Sequence, residues 1–319
     1  MKFTAHIGLG KTGTSAIQTS LNDYEGALNT EENWSWPILA NGRKVDHEWL
    51  DSPHSTEKTK LLYDTIVEHS EKTGCDHVVW SNEAISNNRQ AVKLFKELSI
   101  WSPDLDVQII LYVREPGRWL KSAWEQWGLV HKVLRGKIVL SPTDPRNLRP
   151  LSFSRWVHEW GRGIYNSWRW WRGIADIRPY KEGEDIIDDF CDVTGLDLPR
   201  LRAYETPTSA EVLSRAIYNN TYPGPVTPHK FDFYTTYDSL DDYSKRYFSL
   251  NNIEKFQRIL KANSDLFPDA EVPEERIISE DDYKRLLDQA IIFSIEAIGR
   301  IDQLEGKLRR LTKEKETED

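Results

Sequence analysis

The segment His6-Ile7-Gly8-Leu9-Gly10-Lys11-Thr12-Gly13-Thr14-Ser15 constrains this chain more than any other. Phe3-Thr4-Ala5-His6-Ile7 alternates apolar and polar residues, as a short strand does. Ala16 to Leu21 reads as a helix. A strand that feeds a glycine turn into a helix points several backbone N–H groups at one spot, and the helix dipole adds positive potential there. Gly10 and Gly13 let the backbone approach a ligand closely. Thr12, Thr14 and Ser15 supply hydroxyl donors, and Lys11 supplies a full charge. The alternative is an ordinary glycine turn carrying a surface lysine. The strand and helix on either side favour an anion site.

The loop differs from the nucleotide-triphosphatase pattern G-x-x-x-x-G-K-[ST] where that difference has chemical meaning. Gly8 and Gly13 have the required separation, but Thr14 follows Gly13 where lysine is expected. The lysine sits inside the loop, at position 11. Such an enzyme also needs an acidic residue at a central strand end to help hold Mg²⁺. Val107 to Val113 is nearly all apolar and therefore reads as a central strand covered on both faces. It ends in Arg114, with Glu115 after it. An arginine there suits a phosphate or sulfate better than a metal.

These residues resemble the PAPS-dependent sulfotransferases, particularly the bacterial type. His6-x-Gly8-x-x-Lys11-Thr12-Gly13-Thr14-Ser15-x-x-Gln18 looks like the family's 5′-phosphosulfate loop. Arg114, with Ser122 eight residues later, resembles its 3′-phosphate signature, and Trp119 and Gln126 also fall on family-like positions. Arg118 stands where relatives are often acidic; it could add a phosphate contact or be solvated. Ile177 to Tyr180, Asp189-Phe190 and Thr194 to Leu196 look like the family's later strand and helix. The likeness covers about residues 1–200. It implies a P-loop NTPase-like three-layer α/β domain with a central, mostly parallel sheet. Residues 201–319 would complete the same domain as a mainly helical part.

The implied activity is transfer of a sulfuryl group from 3′-phosphoadenosine 5′-phosphosulfate (PAPS) to a hydroxyl or amine acceptor. The acceptor would be a small molecule or a carbohydrate, and adenosine 3′,5′-bisphosphate the product. By the resemblance, Lys11 stabilises charge on the bridging oxygen. Gly10, Lys11, Thr12, Gly13, Thr14 and Ser15 hold the 5′-phosphate, Arg114 and Ser122 hold the 3′-phosphate, and no metal is needed. A hydroxyl acceptor also needs a base. Glu83, just past the Val78–Trp80 strand, is the first candidate and His6 the second; His6 could instead support the loop by a hydrogen bond. Alternative readings are a P-loop kinase or other nucleotide phosphotransferase, and a non-catalytic nucleotide-binding protein of the same fold.

Composition sets limits on partners. With 42 Lys and Arg against 51 Asp and Glu among 319 residues, the net charge is −9. That balance argues against a sequence-independent hold on nucleic acid. Cys75 and Cys191 match no metal-ligand spacing and form no disulfide framework. Neither a signal peptide nor a membrane-spanning run is readable, so a cytoplasmic protein is expected.

The remaining chain is read more coarsely. Residues 31–56 read as a long loop or insertion, 61–72 and 89–99 as helices, and 117–134 as a further helix. Pro142 to Pro150 reads as a loop, Ile174 to Tyr180 as a strand, and Asp185 to Thr194 as a helix closed by Gly195. Five of the thirteen tryptophans lie between Trp156 and Trp171. Trp156 and Trp160 read as core; Trp168, Trp170 and Trp171 could line an acceptor cleft or pack on the sheet. Asp281 to Lys313 reads as one long helix whose apolar stripe could pair two chains in a homodimer or pack on its own domain.

Overall fold

The structure is a computed structural model. It describes residues 1–22, 53–101, 104–128, 152–181, 183–201 and 253–273, a few isolated positions beyond residue 201, and the backbone of short strands elsewhere. The chain divides into two compact units. The first comprises Met1–Ala123, Val157–Glu205 and Ile253–Pro273. The second comprises Trp124–Trp156, Thr206–Asn252 and Glu274–Asp319.

The first unit is built on a six-stranded sheet. Its long strands are β1 (Lys2–His6), β6 (His77–Ser81), β7 (Asp106–Arg114) and β11 (Asp176–Tyr180). Two-residue strands β2 (Leu28–Asn29) and β3 (Trp34–Ser35) extend one edge, while β4 (Leu39–Ala40) and β5 (Arg43–Lys44) pair separately. The order is β11-β7-β1-β6-β3-β2. The four long strands are mutually parallel, with His6 beside Ser81 on one side and Ile110 on the other. All four therefore end at one edge of the sheet. Crevices outside the carboxyl ends of such strands, where the strand order reverses, are where α/β sheets bind ligands.

Strand alternation places a layer on each face. Phe3 stacks on Phe95 at 6.4 Å between ring centroids, and Phe95 belongs to α3 (Arg89–Trp101). His6, of opposite parity, meets Phe190 edge-on at 5.6 Å, and Phe190 belongs to α5 (Ile186–Thr194). Trp80 adds to the Phe95 side, at 5.9 Å. The fold is thus α/β, with a largely parallel sheet covered on both faces. Residues Ile109 to Val113 of β7 are all buried, as the apolar run predicts.

Helix boundaries follow local chemistry. α1 (Thr14–Asn22) follows the loop. α2 (Thr56–Thr73) begins a turn earlier than expected because the Ser55 side chain accepts from the Lys58 N–H, and Gly74 closes it at φ 71°. Asp185 and Gly195 cap α5 in the same way. The helix expected over 117–134 is shorter: α4 spans Pro116–Gln126. Gly128 then lies against the Trp124 indole, where a side chain would collide, and the chain turns. Lys132–Leu134 becomes β8. It pairs with β9 (Lys137–Val139) and with β10 (Leu148–Pro150), the latter within the stretch read as a loop. Likewise β3 to β5 occupy part of the region read as a long loop or insertion. In the C-terminal third, α6 (Ile253–Ala262) is described. The expected helix over 281–313 and its dimer stripe lie almost wholly outside the described residues.

The tryptophan-rich segment is a chain of short helical turns. Trp156, Trp168 and Trp171 are buried in core positions, within their own units. Trp170 is half-buried, with the Arg89 guanidinium 4.5 Å from its ring centre. Arg169 and Arg172 lie over Trp168, and they reach the C-terminal end of α6 and the segment after it, Arg169 to the Ala262 carbonyl and Arg172 to Asp265.

Candidate active site

The loop between β1 and α1 is held along β7. Ile7 N–H donates to the Ile110 carbonyl at 2.9 Å, and Leu9 N–H to the Tyr112 carbonyl at 3.2 Å. The chain then turns back through two left-handed residues, Lys11 at φ 72° and Gly13 at φ 77°. Among the described residues Lys11 is the one non-glycine residue at positive φ. For a residue with a Cβ this conformation costs about 1–2 kcal/mol, and such strain concentrates at functional sites. Gly13 is required twice over: its φ is positive, and a side chain there would lie 2.8 Å from Ile186 Cγ2.

The hydroxyls of the loop have different tasks. Thr12 is fully buried and its Oγ1 donates to the Leu9 carbonyl at 2.5 Å, so it closes the loop upon itself. Thr14, the first residue of α1, is 2% exposed, and its Oγ1 is buried with no partner. Ser15 is half-buried. The first N–H groups of a helix have no acceptor within it, so the turn at Thr14 and Ser15 presents donors where the loop delivers Lys11.

His6 lies under this loop, not at its mouth. It is 0% exposed. Its Nδ1 is 2.8 Å from Ser81 Oγ, and its Nε2 is buried without a partner. Burial holds its pKa down at about 3, so the imidazole is neutral across the working range. A group so enclosed has no route to an acceptor hydroxyl; His6 fits the supporting role and not that of the general base.

Glu83 stands at the tip of β6. Asn82 N–H donates to the His6 carbonyl at 2.9 Å, and Asn82 Oδ1 accepts from Ala84 N–H at 3.0 Å, which starts a 3₁₀ turn over Glu83–Asn87. The Glu83 side chain is exposed to solvent. Partial desolvation raises its pKa, and the charge of Lys11 pulls it back down. The loop lysine and the strand-end carboxylate therefore sense one another across the same sheet edge. The turn is pinned from behind: Trp171 Nε1 donates to the Ser86 carbonyl at 3.1 Å and Ser167 Oγ to Asn87 Oδ1 at 2.5 Å. Sequence reading left Trp171 open between an acceptor cleft and packing on the sheet, and missed Ser167, because only the register of packing brings them to the turn.

Arg114 ends β7, half-buried, with its guanidinium 5.7 Å from the Tyr180 ring centre and its carbonyl accepting from Tyr165 Oη at 2.9 Å. Glu115 caps α4, accepting from Gly117 N–H at 2.9 Å and Arg118 N–H at 2.7 Å. Arg118 is exposed. Ser122, half-buried, lies one turn beyond Trp119 on α4. The Trp119 Nε1 donates to the Gly10 carbonyl at 2.6 Å. That bond joins the helix bearing Ser122 to the loop bearing Lys11. Behind the strands, Arg178 pairs with Asp189 through two hydrogen bonds of 2.7 and 2.6 Å, and Tyr112 Oη donates to the same carboxylate at 2.7 Å. This triangle lowers the Asp189 pKa, first through Arg178, and fastens β11 and α5 to β7.

No protein-family model, curated protein or solved structure matches this chain. Among the described residues no helix is long and apolar enough to cross a membrane.

Proposed function

We propose that this chain is a PAPS-dependent sulfotransferase on a P-loop NTPase-like domain. The observation that carries the reading is the common ground of two separate stretches. The Lys11 loop and the Arg114–Ser122 strand–helix leave adjacent parallel strands at one sheet edge and are joined by the Trp119–Gly10 hydrogen bond. A bis-phosphorylated adenosine needs two such anion-binding places, one for each phosphorylated end. The residues present fit it: a left-handed lysine, a helix N-terminus with a buried unpartnered Thr14 hydroxyl, and a strand-end arginine.

When bound, PAPS supplies the activated sulfuryl group, whose bond to the 5′-phosphate oxygen breaks as a bond to the acceptor oxygen forms. Lys11 would place its ammonium against the bridging oxygen, where negative charge develops. The N-terminal amides of α1 and the Thr14 and Ser15 hydroxyls would hold the 5′-phosphate. Arg114 and Ser122 would hold the 3′-phosphate, the arginine with its fork of donors. Glu83 would take the proton of a hydroxyl acceptor, and its raised pKa makes it a better acceptor of that proton than an ordinary glutamate. A carbohydrate or other small hydroxyl compound is the proposed acceptor class.

Calorimetry with adenosine 3′,5′-bisphosphate and with ATP–Mg²⁺ tests the reading. Binding of the bisphosphate with little response to ATP–Mg²⁺ is expected. The reverse preference would favour a kinase and end the sulfotransferase reading. An acceptor screen with labelled PAPS then separates an enzyme from a non-catalytic binder.

A further inference from the structure

The loop has an inner side that the proposed chemistry leaves unexplained. A methyl group on Gly8 would lie 2.9 Å from His6 Nε2, 2.9 Å from Thr12 Oγ1 and 3.1 Å from Thr14 Oγ1. Three polar atoms therefore ring the bare face of one glycine. Thr12 is satisfied by the Leu9 carbonyl. His6 Nε2 and Thr14 Oγ1 are both buried and both without a partner. Buried polar atoms left unpaired are costly, and two of them beside the same point call for an explanation.

The hydrogen bonds around Ser81 accommodate the Nε2–H tautomer of His6. Gln18 Nε2 donates to the Ser81 carbonyl at 3.3 Å, which sets the orientation of that amide. The same Nε2 lies 3.3 Å from Ser81 Oγ and donates to it as well. With Gln18 donating to its oxygen, the Ser81 hydroxyl can turn its hydrogen to His6 Nδ1, 2.8 Å away. With Nδ1 accepting, the neutral ring carries its proton on Nε2, facing the loop.

We infer that His6 is a positioning residue of the anion loop, whose Nε2–H donates to Thr14 Oγ1 when an oxyanion sits at the N-terminus of α1, so that the Thr14 hydroxyl hydrogen is aimed at the anion. The relay runs from Gln18 to Ser81, His6 and Thr14, each group donating to the next. It rests on the reading of this loop as an oxyanion site. That last bond would satisfy both orphaned atoms at once.

The test uses the full chain with ¹⁵N-labelled histidine and two probes, inorganic pyrophosphate and adenosine 3′,5′-bisphosphate. In wild-type protein, the His6 resonances should report the Nε2–H tautomer before ligand is added, and the Nε2–H signal should shift on saturation with pyrophosphate. An Nδ1–H tautomer, or an unmoved signal at saturation, overturns the inference without any variant having to fold. Among variants, His6→Asn reaches only the Nδ1 position and Thr14→Val removes the hydroxyl. Each should weaken pyrophosphate binding about tenfold, the scale of one hydrogen bond. His6→Gln, whose terminal N–H takes the place of Nε2–H, should recover most of that loss. The double variant His6→Asn/Thr14→Val should bind no worse than either single one, because both break one relay. Losses that multiply would mean two independent effects and sink the relay. Wild-type protein that binds pyrophosphate but not the bisphosphate would overturn the PAPS reading alone; protein that binds neither would overturn both.

Discussion

The indole N–H of Trp119 donates to the carbonyl of Gly10 across 2.6 Å of buried space, so the two halves of the proposed cofactor site are fastened at one point. Gly10 immediately precedes Lys11, and Trp119 lies one helical turn before Ser122. Trp119→Phe keeps much of the buried ring but strands a buried carbonyl. The expected cost is about 1–3 kcal/mol in urea unfolding. Affinity for adenosine 3′,5′-bisphosphate should fall as well, because loop and helix would no longer share a fixed spacing. Unchanged affinity in a measurably destabilised variant would show that the two stretches need no common anchor.

Lys11 holds a strained left-handed backbone conformation in the proposed site. At φ 72° a glycine would be relaxed and a lysine is not. Lys11→Gly and Lys11→Ala should both lose the proposed turnover, since each removes the ammonium. Their stabilities should differ in a defined direction. Lys11→Gly should be more stable than Lys11→Ala by up to about 1 kcal/mol, the left-handed penalty less the extra freedom of glycine in the unfolded chain. Denaturant midpoints for the pair decide it; an alanine variant as stable as the glycine one would remove strain from the account.

The elements that place these residues were legible where local pattern suffices. The apolar run of β7, the glycine loop before α1 and the Asp185–Gly195 caps of α5 depend on near neighbours and on period. The fit stopped where tertiary register decides. Nothing local announces that Ser81 faces His6, or that Trp171 and Ser167 hold the Glu83 turn. The end of α4 was missed for a related reason: the helical pattern continues in sequence, but Gly128 packs against Trp124 and the strand residues beyond it pair with each other.

Glu83 and Lys11 provide a test of the site that does not depend on knowing the acceptor. Desolvation raises the Glu83 pKa, and Lys11 opposes that rise. Lys11→Met should therefore move the Glu83 pKa upward, as followed by carboxyl-carbon NMR. No movement would place the two groups outside electrostatic reach. Once an acceptor is in hand, Glu83→Gln should lower turnover by about 10²-fold or more, on the scale of general-base catalysis. Its affinity for adenosine 3′,5′-bisphosphate should stay close to wild type, because Glu83 has no proposed contact with the cofactor. Near-normal turnover in that variant would eliminate Glu83 as the base.

Acid stability offers a reading of His6 that is independent of any ligand. Tyr112 and Phe190 meet the ring edge-on, Ser81 occupies its Nδ1, and the nearest charge reached through those contacts is Asp189, bonded to the Tyr112 hydroxyl. Burial lowers the folded-state pKa from 6.5 to about 3, whereas the unfolded chain titrates near its ordinary value. Between those two values the unfolded chain holds a proton that the folded one does not, so acid favours unfolding. The contribution is fully present above about pH 6.5 and is lost as pH falls toward 3, at about 1.4 kcal/mol for each pH unit. Other groups, such as Asp189 and His77, titrate in the same range, so the measurement is the difference between wild type and His6→Gln. Between pH 6.5 and pH 5 wild-type protein should lose about 2 kcal/mol of unfolding free energy relative to the variant. A difference that stays flat over that interval would mean that the imidazole takes up its proton without leaving the fold, which a ring sealed beneath the Lys11 loop cannot do.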